Sequence, residues 1–317
     1  MKPSRPTDLS ADRQSVSKSP TVVPDGGSGA QPNVVASLVI CSRDRCDVLA
    51  RCLSALETVS LPPEWEVVIV NNGSRDHTVD VIEEFRARVS FRVISVNEPL
   101  PGLSRARNRG MAASSGRIIA FTDDDCYVTP GYAAHLVAAF DEPRLGYLTG
   151  KVQQYDPRFA RTAINERSEP YELRPYGYVR TGRVLGANMA FRREVLEAIG
   201  GFDLEFGSGA RFPAEDCDAA ARASAAGWAG RYVPEVVVQH DHRRDLAEAR
   251  TVHSSYDLGR GAYHMKLISQ SGTRLAGVRG WLELPYRVFR RPTTLRGELA
   301  GAWGWWRLNW TQRRSRR

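Results

Sequence analysis

Apolar residues fall along the first part of this chain in two alternating rhythms. Residues 36–41 (ASLVIC), 66–70 (EVVIV), 91–96 and 117–122 (RIIAFT) are short and almost continuously apolar. That is the pattern of strands buried on both faces of a parallel sheet. Between them, Val48, Leu49, Cys52, Leu53 and Leu56 share one helical stripe over 46–58, and Val79, Ile82 and Phe85 recur at three-residue steps over 76–88. A helix of small residues is expected over 103–114. Strands alternating with helices predict parallel βαβ units and a doubly wound α/β sheet from 34 to about 140.

The second half is less regular. Residues 155–178 are punctuated by prolines and charges and read as a long loop, of the kind that often serves as a lid. Residues 183–191 and 236–240 are candidate strands. A helix is expected over 214–226, with Glu215 and Asp216 at its start, and others over 246–269 and 281–310, the last broken near Pro285 and Pro292. Residues 1–33, rich in Ser, Pro, Gly and Asp, cannot bury a core and are expected to be disordered. The expected organisation is thus a disordered 1–33, an α/β domain over 34–245 and a helical extension over 246–317.

Composition narrows the class. With 317 residues, 42% hydrophobic and 25% charged, the chain is neither a collagen nor a disulfide scaffold. It shows no run of about 18 apolar residues that would span a membrane, and the first thirty residues carry no apolar signal core. The five cysteines are odd in number and form no CxxC pair, so reduced thiols and a cytoplasmic location are expected. The net charge of +8 is uneven: residues 274–317 hold 11 Arg and 2 Glu, and the rest of the chain is close to neutral. Five of the seven tryptophans also lie in that tail, with Leu299, Trp303, Trp306 and Trp310 on one helical face. Arg with Trp is the composition of a helix lying on an anionic membrane surface. The same face could equally close the back of the domain, or the basic tail could meet nucleic acid.

Chemistry gathers at the strand ends. Asp123-Asp124-Asp125 follows the fourth apolar run, where ligands bind in open α/β sheets. Three adjacent carboxylates repel one another unless a cation neutralises them, and oxygen ligands suit Mg²⁺ or Mn²⁺ beside a diphosphate. An acidic turn that caps a helix would look the same. Asn71-Asn72-Gly73-Ser74 stands at the matching end of the second run, as a polar contact to a nucleoside or as a turn. Glu215-Asp216-x-Asp218 opens a helix with more acid than capping needs, which makes a general base a candidate there. In His240-Asp241-His242 the two rings would share a strand face, where an imidazole can complete a metal shell.

Taken in order, these residues resemble family 2 glycosyltransferases of the GT-A fold. The resemblance runs from about 35 to 242. It takes in Val39-Ile40-Cys41-Ser42-Arg43-Asp44-Arg45, Asn71-Asn72-Gly73-Ser74-Arg75-Asp76, Ala106-Arg107-Asn108-Arg109-Gly110 and Phe121-Thr122-Asp123-Asp124-Asp125. It continues through Gly186-Ala187-Asn188-Met189-Ala190-Phe191-Arg192-Arg193, Gly200-Gly201-Phe202-Asp203 and Glu215-Asp216. It implies a Rossmann-like nucleotide-binding mixed sheet flanked by helices. The implied reaction is inverting transfer of a sugar from a nucleotide-diphosphate donor to an acceptor hydroxyl of a glycan or lipid-linked acceptor. Cell-envelope or exopolysaccharide synthesis is the expected setting.

By the same resemblance Cys41, Arg43, Asn71, Arg107, Asp123 and Asp124 would line the nucleotide pocket. Asp125, with His240 or His242, would hold the metal. Asp216 would deprotonate the acceptor, with Glu215 beside it, and Asn188 and Asp218 would face sugar and acceptor. Many members carry Asp where Asn71 stands, Pro where Cys41 stands and an aromatic where Arg43 stands. Two other readings compete. A sugar-phosphate nucleotidyltransferase would need a glycine-rich loop after the first strand, which Ser42-Arg43-Asp44-Arg45 is not. A non-catalytic basic scaffold would need neither Asp125 nor Asp216.

Overall fold

The four apolar runs become β1 (Ala36–Ser42), β2 (Trp65–Asn71), β3 (Arg92–Asn97) and β4 (Ile118–Asp123), each end within one residue of expectation. They alternate with α1 (Cys46–Glu57), α2 (Thr78–Arg88) and α3 (Leu103–Ala113). This computed structural model describes residues 34–315; the expected disordered segment 1–33 lies outside the described residues. β1 pairs in parallel with β2 and β4, and β2 with β3. Ser42 stands opposite Asn71 and Cys41 opposite Asp123, so the carboxyl ends of three strands are level. Their loops therefore open onto one edge.

The period-two alternation of each strand divides the core. Leu38, Ile40, Val67 and Ile69 pack with Leu49, Leu53, Leu56, Ile82 and Phe85 on one face. Val39, Val68, Val70 and Phe121 pack with a second cluster that includes Ala106, Phe191, Phe202 and Ala220 on the other. A strand buried on both faces has no polar side to show, which is why these runs read as uninterrupted.

Beyond β4 the sheet turns mixed. β5 (Cys126–Val128), α4 (Tyr132–Ala139), β6 (Leu145–Gln154), β7 (Tyr171–Leu173), β8 (Asn188–Arg192), α5 (Arg193–Ala198), α6 (Glu215–Ala225) and β9 (Ala229–His240) follow in the chain. The spatial order is β3-β2-β1-β4-β8-β6-β9-β5, with β7 also on β9. β8 is antiparallel to β4 and β6, and β6 is parallel to β9. The strand expected over 183–191 therefore begins only at Asn188, and the one expected over 236–240 is twelve residues long. Pro234 hid that length. Between Gly150 and Lys151 the register jumps from Val233 to Val237, a bulge that takes up the proline's missing donor.

Residues 155–178, expected to form a lid, are tied down. Tyr171 stacks on Tyr232 at 4.8 Å, the Tyr232 hydroxyl donates to Arg167 O at 2.8 Å, and Tyr176 N donates to Ser224 O at 2.8 Å. This segment flanks β9 as a fixed edge.

The C-terminal part is helical: α7 (Leu246–Ser269), α8 (Arg274–Leu282), α9 (Leu284–Arg290) and α10 (Thr294–Ser315). Asp245 caps α7, accepting from Ala247 N and Glu248 N at 2.8 Å while Glu248 accepts from Asp245 N. The two prolines act as expected: Pro285 sits in the first turn of α9, and Pro292 separates α9 from α10. α10 lies directly on α7. A Cβ on Gly261 would collide with Glu298 O, and one on Gly301 with Leu258 O. Trp305 packs between Phe206 and Phe212, inside the second core cluster. The helices thus belong to the same compact unit as the sheet. Among the described residues no helix is long and apolar enough to cross a membrane.

Candidate active site

The level ends of β1, β2 and β4 place the expected polar loops side by side. Ser42 Oγ donates to Asp124 Oδ2 at 2.7 Å. Asp44, in the left-handed region at φ 52°, accepts from Arg75 N at 2.7 Å, which binds the loop after β1 to the loop after β2. Asn71 accepts from Ser74 N at 2.9 Å and donates to Asn97 at 3.3 Å. Its side chain is thus used in closing the turn. Cys41 lies at the strand end with its thiol pushed up to about 12 by burial, a neutral wall. Arg43 is exposed and paired with Asp44 at 3.4 Å.

Arg45, to which the sequence alone assigns no role, bridges two of the three aspartates. One guanidinium nitrogen lies 2.8 Å from Asp124 Oδ1 and another 2.8 Å from Asp125 Oδ2. On the far side, His240 Nε2 is 3.2 Å from Asp125 Oδ1. Asp125 thus has the Arg45 guanidinium on one side and the His240 imidazole on the other. Burial pushes the Asp125 carboxyl up, but the hydrogen bond and charge of His240, followed by Arg45, hold it well below the carboxylate range. Burial lowers His240, and Asp125 more than restores it, so the ring is raised above 6.5. Asp124 is pushed up to about 7 by burial.

Asp123, Asp125, Cys126 and His240 bring one ligand atom each within 4.8 Å of one another. Two carboxylates and an imidazole fit Mn²⁺ or Mg²⁺. The Cys126 thiol, raised well above its ordinary value by burial, is the weakest donor of the four. The buried Nδ1 of His240 has no partner. His242 stands beside His240, ring centroids 5.0 Å apart, but its Nδ1 accepts from Arg244 N at 2.9 Å. Burial lowers its pKa. Among the described residues His242 is not one of those whose ligand atoms gather here.

The second acidic cluster meets the first through Arg107. This guanidinium is 2.7 Å from Glu215 and 3.2 Å from Asp123, and it donates to Gly186 O at 3.2 Å. At 2% exposure it is a buried strut between the two clusters, and its expected place in the nucleotide pocket rests on its pair with Asp123. Glu215 is spent on that pair. Its neighbour Asp216 is half-buried and accepts from Gly186 N at 2.9 Å and Cys217 N at 2.6 Å. Burial, followed by the charge of Glu215, pushes Asp216 up to about 7.

Two expected site residues are structural instead. Asn188 is fully buried and donates to Lys151 O and Val236 O at 2.9 Å. It satisfies the carbonyls that the bulge in β9 leaves without ladder partners. Asp218 is fully buried and paired with Arg222 at 2.8 Å and with Lys266. Both side chains are closed off from the surface. The phenol of Tyr256, in α7, is raised to about 12, chiefly by burial, with the charges of Asp216, Asp123 and Glu215 adding to the shift.

Known proteins share this layout. The mannosyltransferase PcManGT from Pyrobaculum calidifontis, described in complex with GDP-Man and Mn²⁺, superposes with a TM-score of 0.61 at 18% identity, over 84% of this chain and 74% of that one. That likeness shows the GT-A fold. Glycosyltransferase AglE of Haloferax volcanii is 25% identical over 208 residues, 65% of this chain and 67% of that protein. The putative glycosyltransferase EpsH of Bacillus subtilis is 28% identical over 169 residues, 51% of this chain and 48% of its own length. The chain thus spans only about half of EpsH. The family model described as glycosyl transferase family 2 matches residues 37–200, over half of the sequence, and with the fold and the acidic clusters in place the chain belongs to that family.

Proposed function

We propose that this protein transfers a sugar from a nucleoside-diphosphate donor to an acceptor hydroxyl, with inversion at the anomeric carbon. The observation that carries the reading is the joining of the two acidic clusters by Arg107, which pairs with Asp123 of the triplet and with Glu215, the neighbour of Asp216. Asp125 is held ionised between Arg45 and His240, while Asp216 is held near about 7. Environments that push carboxylates apart in this way divide the acid–base labour of a site.

Asp216 takes the acceptor's proton. The acceptor oxygen then bonds to the anomeric carbon from the face opposite the diphosphate, and the electron pair of the breaking C–O bond leaves on the diphosphate. The backbone N–H groups of Gly186 and Cys217 hold one oxygen each of Asp216 and so fix its orientation. Arg107 keeps Asp216's helix and the Asp123 strand end at one spacing. Asp123, Asp125 and His240 would hold a divalent cation, which when bound supplies positive charge to the departing diphosphate. Arg45 is a further donor on that side. Positive charge already in place where negative charge develops often contributes more to the rate than any other effect in such sites.

The acceptor class is a glycan or lipid-linked hydroxyl, in envelope or exopolysaccharide synthesis, in keeping with the basic Trp-rich tail. The test is nucleotide release from a panel of GDP- and UDP-sugars with Mn²⁺, Mg²⁺ or chelator. Donor-specific, metal-dependent release that is lost in Asp125→Ala is the expected result. No release from any donor, with or without metal, would overturn the reading.

A further inference from the structure

α10 has two faces of opposite character. The inward face carries Gly301, Ala302 and Trp305 against α7 and the second core cluster. The outward face carries Trp303, Trp306 and Trp310, 59%, 46% and 46% exposed. Their rings stack in one ladder, with centroids 4.9 and 6.3 Å apart and planes inclined by 18° and 14°. Arg314 lies 3.9 Å over the last ring. Three half-exposed tryptophans in a row exceed the scattered apolar residues that any surface shows, and such a patch marks an interaction site. On the helices leading into α10, Leu275, Leu282 and Phe289 are also almost wholly exposed.

The charges of these helices say what partner fits. Their acids are Glu283 and Glu298. Glu298 is buried under Arg260 and Arg287, and Glu283 pairs with Arg180 at 2.9 Å. Arg274, Arg279, Arg290, Arg296, Arg307 and Arg314 are exposed, and among the described residues none of the six has a carboxylate within ion-pair distance. The outward surface of α8 to α10 is thus aromatic and purely cationic. A protein partner would need a matching acidic, apolar surface. An anionic bilayer offers both features at once: headgroup phosphates for guanidinium groups, and a boundary where indole rings bury their bodies and keep their N–H wet. The helix is not apolar enough to cross.

We propose that the Trp303–Trp306–Trp310 face, with its flanking arginines, docks this protein on an anionic lipid bilayer, α10 lying in the plane of the interface. The docking does not depend on the transfer reaction.

The test uses the full chain and vesicles of phosphatidylcholine alone or with 30% phosphatidylglycerol. Flotation with the anionic vesicles only, weakened as salt shortens the screening length from about 10 Å to about 3 Å, is the expected result. The triple variant W303S/W306S/W310S is expected to keep the parent melting temperature and lose binding at least tenfold. Should that variant fold poorly, Arg296→Gln and Arg307→Gln decide the matter, each lowering the partition coefficient roughly fivefold. Absence of flotation at low salt, or unchanged flotation of both sets of variants, overturns the proposal. Concentration-dependent dimerisation that the triple variant abolishes, without vesicle binding, assigns the face to a second copy and overturns it too. Nucleotide release measured without vesicles reports on the catalytic reading separately.

Discussion

Asp216 and Asp125 differ by what surrounds them, and that difference can be measured. Asp216 titrates near about 7 because burial and Glu215 oppose its charge. As the base it works only when deprotonated, so kcat/KM is expected to rise with pH through about 7 and then level. Asp216→Asn, which keeps the shape and loses the basic oxygen, is expected to cut turnover by about 10²–10⁴-fold while donor affinity in calorimetry stays within a few-fold. A parallel loss of donor affinity would instead make Asp216 a donor ligand.

At Asp125 the sign is reversed. His240 is raised above 6.5 by its hydrogen bond to Asp125, so in the metal-free protein that pair stabilises most below about 6.5 and less as pH climbs through the raised value. A metal must displace the proton. Mn²⁺ affinity, followed by electron paramagnetic resonance, is therefore expected to be clearly tighter at pH 8 than at pH 6, and absent in Asp125→Ala. Equal affinity at both pH values would remove His240 from the ligand set. Asp125 and Asp216 can be singled out in the sequence because their motifs stand at a strand end and a helix start. Asn188 and Asp218 are misread there for a physical reason. A buried polar side chain looks the same in sequence whether it faces a ligand or an orphaned carbonyl, and their partners Val236 and Lys266 lie far along the chain.

Among the elements, β1, β2 and β4 were legible because burial on both faces leaves continuous apolar runs, and the edge strand β3 by its alternation. The antiparallel half was not. β8 is five residues long and β9 is interrupted by Pro234, so each pairing is set by neighbours distant in sequence. The helical tail was legible as helices but not as core. What holds α10 to α7 is glycine contact and one buried acid. Glu298 is fully buried, 2.7 and 2.8 Å from Arg287 and 2.9 Å from Arg260. Removing one partner from such a group strands two arginines. Glu298→Ala is expected to cost about 3–5 kcal/mol, read as a lower urea midpoint with unchanged slope, while the exposed Arg296→Ala is expected to change little. Equal, small effects would mean that the two helices do not depend on this network.

On the scale of the whole molecule, the tail has two faces of opposite character. The sequence offered a membrane-facing Trp helix or a helix that closes the domain. The structure has a buried and an exposed Trp face, one residue apart: Trp305 is buried on Phe206 and Phe212 while Trp306 is exposed. Deleting 280–317 would therefore take Trp305 out of the second core cluster and also remove Arg291 from its pair with Asp257, so a lost function after truncation would not reveal its cause. Single substitutions separate the roles. Trp305→Ala removes a buried indole, which is worth about 3–5 kcal/mol. In a chain of this size that corresponds to a fall in melting temperature of roughly 10 °C. Trp306→Ala opens no cavity, and its melting temperature is expected to stay within about 2 °C of the parent. Differential scanning calorimetry of the two variants side by side is the check. If Trp306→Ala melts as low as Trp305→Ala, the outer ladder is part of the fold's own stability. A flat result for both would mean that α10 is not packed on the catalytic domain at all, and that Trp305 would be free to join the exposed face.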